Sequence, residues 1–152
     1  MDKPTIDRIA LLHPDVRKEV AEIVNECNAA LTGRAQMRIA QGYRTFDEQT
    51  KLFNQKPKVT NAKAGQSIHN YGLAVDIVLI IDGKTASWDT AKDWDNDKVA
   101  DWKECVSIFK KYGWDWGGDW KSFKDMPHFE KKGYKWQNLI KLKKDKQGYV
   151  IL

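Results

Sequence analysis

Residues Ser67 to Ile81 read SIHNYGLAVDIVLII. The second half, LAVDIVLII, is a nearly unbroken apolar run rich in β-branched residues, which predicts a buried β-strand. One carboxylate, Asp76, interrupts the run, and a histidine, His69, stands seven residues before it. An isolated carboxylate in a low-dielectric interior is costly enough that it takes up a proton, pairs with a cation or binds a metal. Residue chemistry alone leaves two partners open. One is an arginine, Arg38 or Arg44, in a salt bridge. The other is a metal shared with histidines. The chain has three; His69 and His128 lie in polar or glycine-containing turns beside strand-like segments, whereas His13, next to Pro14 at a helix start, is expected at the surface. Two histidines and one carboxylate make a ligand set of the catalytic zinc type, with a fourth position left to water.

Working outward, PDVRKEVAEIVNECNAAL (14–31) places Val16, Val20, Ile23, Val24, Cys27 and Leu31 at three- and four-residue spacings, which predicts an amphipathic helix opened by Pro14 and followed by Gly33. Met37 to Arg44 alternates as a strand does and leads into TFDEQTKLFNQ, where Thr45 and Glu48 have capping-box spacing. Asp82-Gly83 predicts a turn after the central strand. A third helix is expected from about Asp97 to Tyr112, stopped by Gly113, then a glycine- and aromatic-rich stretch, GWDWGGDWKSFKDMPHFEKKG, unsuited to a helix. A last helix from Trp136 to Lys144 and a strand-like GYVIL complete an α+β pattern.

At 152 residues with 41% hydrophobic content, the chain fits one domain, 1–152, around one core. Nowhere do eighteen apolar residues run together, and the first twenty lack a hydrophobic export segment, so a product made in the cytoplasm without a signal peptide is expected. Cys27 and Cys105 fall in helical patterns and read as buried free thiols. The net charge of +5 is concentrated in KKGYKWQNLIKLKKDK, with no nucleic-acid-binding motif beside it. That excess fits a solvated helix face or a general attraction to polyanions rather than a specific nucleic-acid partner.

The spacing SxHxxGxAxD, Ser67 to Asp76, resembles the first zinc motif of the D-alanyl-D-alanine carboxypeptidase and L-alanyl-D-glutamate endopeptidase family, relatives of lysostaphin and the hedgehog domain. DMPHFE, Asp125 to Glu130, resembles its second motif, and QGYRTFDEQTKLF the segment bearing its substrate-polarising arginine. VTNAKAGQSIHNYGLAVD and GWDWGGDW are most similar to the endopeptidase branch, which includes phage endolysins. The three motifs follow the family's order from about Met37 to Glu130.

This resemblance implies an antiparallel sheet carrying one zinc ion per chain, with helices packed around it. It implies His69, Asp76 and His128 as ligands, Asp125 as general base, Arg44 at the scissile carbonyl and Ser67 as a substrate or supporting hydrogen-bond group. Glu130 is the second choice for the base. The activity implied is hydrolysis of peptidoglycan stem peptides between L-alanine and a D-glutamate-type residue, by a monomer reaching the bacterial wall through a membrane lesion. The alternatives are a D-alanyl-D-alanine carboxypeptidase or dipeptidase, and a catalytically silent wall-binding homologue.

Two further stretches have competing readings. The tryptophans of WDWGGDW fit either core packing or a groove wall, with Gly117 and Gly118 permitting a tight turn near the site. Asp93, Asp95, Asp97, Asp101 and Glu104 fall at positions one, three, five, nine and twelve of an EF-hand-like register. Lys98, however, occupies position six, where that calcium loop needs glycine, so a solvated acidic helix entry is expected.

Overall fold

The computed structural model describes residues 1–152. Its centre is β2 (Ala74–Ile81), the strand predicted from LAVDIVLII. β1 (Ala35–Gln41) pairs antiparallel along one edge of β2. The other edge is shared by β3 (Thr85–Ser87), opposite Leu79 to Ile81, and β5 (His128–Lys131), opposite Ala74 to Asp76. β4 (Trp114–Trp116) pairs outside β5, giving the order β1-β2-β5-β4. Asp82 and Gly83, both at positive φ, make the tight turn between β2 and β3.

Alternation along β2 sorts its side chains. Val75, Ile77, Leu79 and Ile81 join the hydrophobic core, with Met37 and Ile39 of β1. α2 (Arg17–Ala30) contributes Val20, Ile23, Val24 and Cys27, and α4 (Asp101–Lys111) contributes Trp102, Cys105 and Phe109. Burying each large apolar side chain contributes about 1.5–3 kcal/mol. Asp76 therefore points to the opposite face, away from that core. Both cysteines are free and buried, as expected.

α1 (Lys3–Ile9), absent from the sequence reading, is capped by Asp2, whose Oδ1 accepts from Thr5 N at 3.1 Å and whose Oδ2 pairs with Arg38 at 2.6 Å. That pairing removes Arg38 as a partner for Asp76. α3 (Phe46–Phe53) carries the reciprocal Thr45–Glu48 capping box that its spacing predicts. α4 begins four residues later than expected, because Asn96 and Lys98 adopt positive φ and break the helical path. The terminal helix shrinks to one turn, α5 (Trp136–Leu139), since the lysine-rich segment after it has no apolar stripe to bury.

His13 corrects the reading of a surface residue: it is only 3% exposed. Its Nε2–H donates to Val150 O at 2.7 Å while Nδ1 accepts from Asp15 N, so it ties the C-terminal segment to the helix entry. Gly72 packs against this join with φ +70°, and a Cβ there would lie 2.4 Å from His13 N. Only glycine fits.

Candidate metal centre and active site

Asp76, the carboxylate inside the apolar strand, sits directly opposite His128 across the β2–β5 ladder. Residues 68–71 form a single 3-10 turn before β2, capped by Ser67, whose Oγ accepts from His69 N at 3.3 Å. Asn70 locks the same turn: its Oδ1 accepts from Gly65 N and Ser67 N, and its Nδ2 donates to Arg44 O at 3.0 Å. The turn delivers His69 to Asp76. One nitrogen of His69, one of His128 and one oxygen of Asp76 all lie within 4.8 Å of one another.

Hydrogen bonding fixes which nitrogens face inward. His69 Nδ1 lies 2.7 Å from Gly42 O; a carbonyl only accepts, so Nδ1 carries the proton. His128 Nε2 lies 2.8 Å from Glu130 Oε1 and donates to it likewise. In the neutral rings, the remaining nitrogens, Nε2 of His69 and Nδ1 of His128, are lone pairs, and both stand 3.2 Å from the same oxygen, Asp76 Oδ1. Three groups able to donate an electron pair thus converge, and either a proton or a metal cation must stand among them. Two imidazoles plus one carboxylate suit zinc, and the outer hydrogen bonds orient both rings as a metal site requires. The residues fit the metal.

The two histidines are 4% and 6% exposed. Burial opposes charge on His128, but its hydrogen bonds to Asp76 and Glu130 outweigh that and hold its pKa up at about 9. Burial likewise opposes charge on Asp76, yet the His128 and His69 hydrogen bonds keep it well below the usual carboxylate range. That answers the puzzle of the buried charge: Asp76 is held by imidazoles, not by an arginine.

Arg44 lines the same cleft, a volume of about 760 Å³ that also contains Ser67, Trp120, Asp125 and Glu130. The bulge where β1 shifts register between Ile39 and Gln41 sets Gln41 opposite Asp76. Gln41 and Gln49 each accept from the Arg44 guanidinium through Oε1, and Gln49 Nε2 is anchored on Ala62 O at 2.8 Å. Arg44 therefore pairs with amides, not with a helix carboxylate. Burial lowers its pKa, while the charges of Asp76, Glu48 and Asp125 work the other way. Its charge faces the cleft unneutralised by contact.

Asp125 enters from the loop between β4 and β5. Gly117 makes that approach possible, since a Cβ there would lie 2.3 Å from Asp125 O. Trp102 and Trp116 both donate through Nε1 to Met126 O and fix the loop. No protein hydrogen bond ends on the Asp125 carboxylate, and burial, then the charge of Asp76, raise its pKa above the ordinary value. Glu130, by contrast, is engaged with His128. The WDWGGDW tryptophans divide: Trp114 and Trp116 are core, while Trp120 packs on His128 at 5.2 Å between ring centroids. Gln41, Gln49, Asn70 and the Gly42 carbonyl escaped the sequence reading, because their roles depend on contacts that spacing does not encode.

A five-stranded antiparallel sheet presenting two histidines and a carboxylate beside a free aspartate defines a small metallohydrolase. The family model described as D-alanyl-D-alanine carboxypeptidase matches residues 60–131. The chain is 42% identical over 124 residues to the peptidoglycan L-alanyl-D-glutamate endopeptidase CwlK of Bacillus subtilis, covering 78% of this chain and 72% of that one. It is 36% identical over 92 residues to an L-alanyl-D-glutamate peptidase of a Listeria phage, covering 57% of this chain but 30% of that longer protein. The Serratia marcescens L-Ala D-Glu endopeptidase ChiX shares the fold, with a TM-score of 0.60 at 19% identity, covering 87% of this chain and 89% of ChiX. The protein belongs to the zinc peptidase family of D-alanyl-D-alanine carboxypeptidases and L-alanyl-D-glutamate endopeptidases.

Proposed function

We propose that this protein is an endolysin-like endopeptidase that hydrolyses peptidoglycan stem peptides at the bond between L-alanine and a D-glutamate-type residue. The convergence of one nitrogen from each of two imidazoles on Asp76 Oδ1 carries the zinc reading. His69 Nε2, His128 Nδ1 and the Asp76 carboxylate would hold one ion per chain. When bound, zinc supplies an acidified water and a Lewis acid for the carbonyl.

The remaining chemistry belongs to side chains of this chain. Asp125, unbonded and with raised basicity, accepts the proton of the attacking water and returns it to the leaving amine nitrogen. Arg44, held by Gln41 and Gln49, donates to the carbonyl oxygen as its negative charge grows. Glu130 orients His128 and Ser67 caps the turn bearing His69; Ser67 also lines the cleft within reach of substrate.

The endopeptidase reading over the carboxypeptidase one rests on the names of the relatives and on charge. A terminal carboxylate calls for a dedicated cation. Arg34 is paired with Asp82 and Arg38 with Asp2, and neither lines the cleft; Arg44 is its one arginine, and its other cation, Lys135, is a point charge without the bidentate fork of a guanidinium. No helix is long and apolar enough to cross a membrane, and we place the activity at the bacterial wall, reached through a membrane lesion. Product masses from a defined stem peptide ending in D-alanyl-D-alanine test the bond. Release of L-alanine from the remaining D-glutamate-initiated peptide supports the reading; loss of one terminal alanine, or of the terminal dipeptide, overturns it.

A further inference from the structure

Between Asp76 and Asp125 in sequence, five carboxylates gather where the loop after β3 enters α4. Asp93, Asp95 and Asp101 each offer an oxygen within 4.8 Å of the others, and Asp95, Asp97 and Glu104 form a second such group sharing Asp95. Asp97 is exposed and Asp93 and Asp95 are half-buried, in keeping with a solvated helix entry, but the inner end of the cluster is not solvated. Asp101 is completely buried. Its Oδ1 accepts from Trp94 N at 3.0 Å, but Oδ2 has no hydrogen-bond partner at all. Glu104 Oε2 is a second buried oxygen without a partner. A buried carboxylate oxygen with neither donor nor cation carries a penalty of about 1–3 kcal/mol or more, and here two of them lie among further carboxylates with no lysine or arginine paired to them.

We propose that Asp93, Asp95, Asp97, Asp101 and Glu104 form a calcium-binding site, separate from the catalytic zinc. The donors are all oxygens, with no imidazole or thiol, and their number and charge suit a hard cation of high coordination number. The objection from Lys98 falls away, since its backbone takes φ +70°, the conformation a glycine would supply at that point of the loop. The ion would close the loop onto two neighbours. Asp95 Oδ2 accepts from Thr32 N at 3.3 Å, fastening the loop to the α2–β1 connection. Asp101 and Glu104 belong to the first turn of α4, whose Trp102 reaches the loop of Asp125 through Met126 O at 3.2 Å.

The test uses the zinc-loaded full-length protein in calcium-stripped buffer, with calorimetric titration and thermal denaturation. Calcium chloride is expected to bind at about one ion per chain, tighter than magnesium chloride, and to raise Tm by about 5–10 °C at a hundredfold excess over Kd. Asp97→Asn, at an exposed position that leaves the fold intact, should weaken calcium binding at least about tenfold with zinc content unchanged. Glu104→Gln should do the same. Absence of both heat and Tm shift up to about 10 mM calcium overturns the proposal. So does calcium affinity unchanged in both variants.

Discussion

His128 Nδ1 and Asp76 Oδ1 stand 3.2 Å apart as direct cross-strand neighbours on β5 and β2. Facing residues in a ladder have little freedom to separate, so two of the three donors are set by the sheet itself and only His69 depends on a turn. Substitution of His69 by alanine should therefore remove the metal and abolish hydrolysis while leaving far-ultraviolet circular dichroism intact. Metal analysis of the purified variant checks this; full zinc occupancy would exclude His69 as a ligand.

Glu130 and Asp125 are separable by what each loses. Glu130 accepts from His128 Nε2 at 2.8 Å and fixes its tautomer. Glu130→Ala should weaken zinc binding about 10–100-fold, with turnover restored by excess zinc, whereas Glu130→Gln, which keeps an acceptor, should stay near wild type. Turnover lost at full zinc occupancy would instead make Glu130 the base.

Arg44→Ala should lower kcat by about 10²–10³ with a smaller change in KM, because its donor is aimed at charge that develops during reaction. Arg44→Lys should recover only part, since an ammonium cannot bridge Gln41 and Gln49 as the planar guanidinium does. An equal rise in KM with kcat preserved would reassign Arg44 to ground-state binding.

Glu104 gives a pH dependence with a definite sign. Burial, then the hydrogen bond and charge of Asp97, with Asp95 and Asp101 behind it, push its pKa from 4.5 up to about 8. The neighbouring Cys105 thiol, raised by its hydrogen bond to Cys27 and by burial, stays neutral. An acid whose pKa is raised by folding contributes stability that is complete below its unfolded value and is lost as pH rises through the folded value. Without calcium, the Tm of the wild type should thus fall relative to Glu104→Gln between about pH 5 and pH 9, and calcium should remove the slope. A difference that stays flat in calcium-free buffer contradicts this.

The apolar run around Asp76, the helical spacing of 14–31 and the Thr45–Glu48 cap were legible because each is written in contiguous residues. The pairing of His69 with Asp76 was legible for the same reason, since SxHxxGxAxD spans a single turn and strand, whereas His128 comes from a separate stretch, DMPHFE. Asp76's choice between arginine and histidine was not, because it turns on Arg38 meeting Asp2 thirty-six residues away. His13 was misplaced because its partner, Val150, lies at the other end of the chain. The burial of Asp101 at the inner end of the acidic loop was not legible because composition records carboxylates but not their burial, and a positive φ at Lys98 cannot be read from a lysine.

The division of labour between metal and base is tested most directly by one variant assayed two ways on the same sample. Asp125→Ala should retain the zinc content of the wild type while peptide hydrolysis falls by about 10²–10⁴, since it removes proton transfer and no ligand. Loss of zinc together with activity would make Asp125 a ligand, and undiminished turnover would remove it from the mechanism; either result contradicts the account.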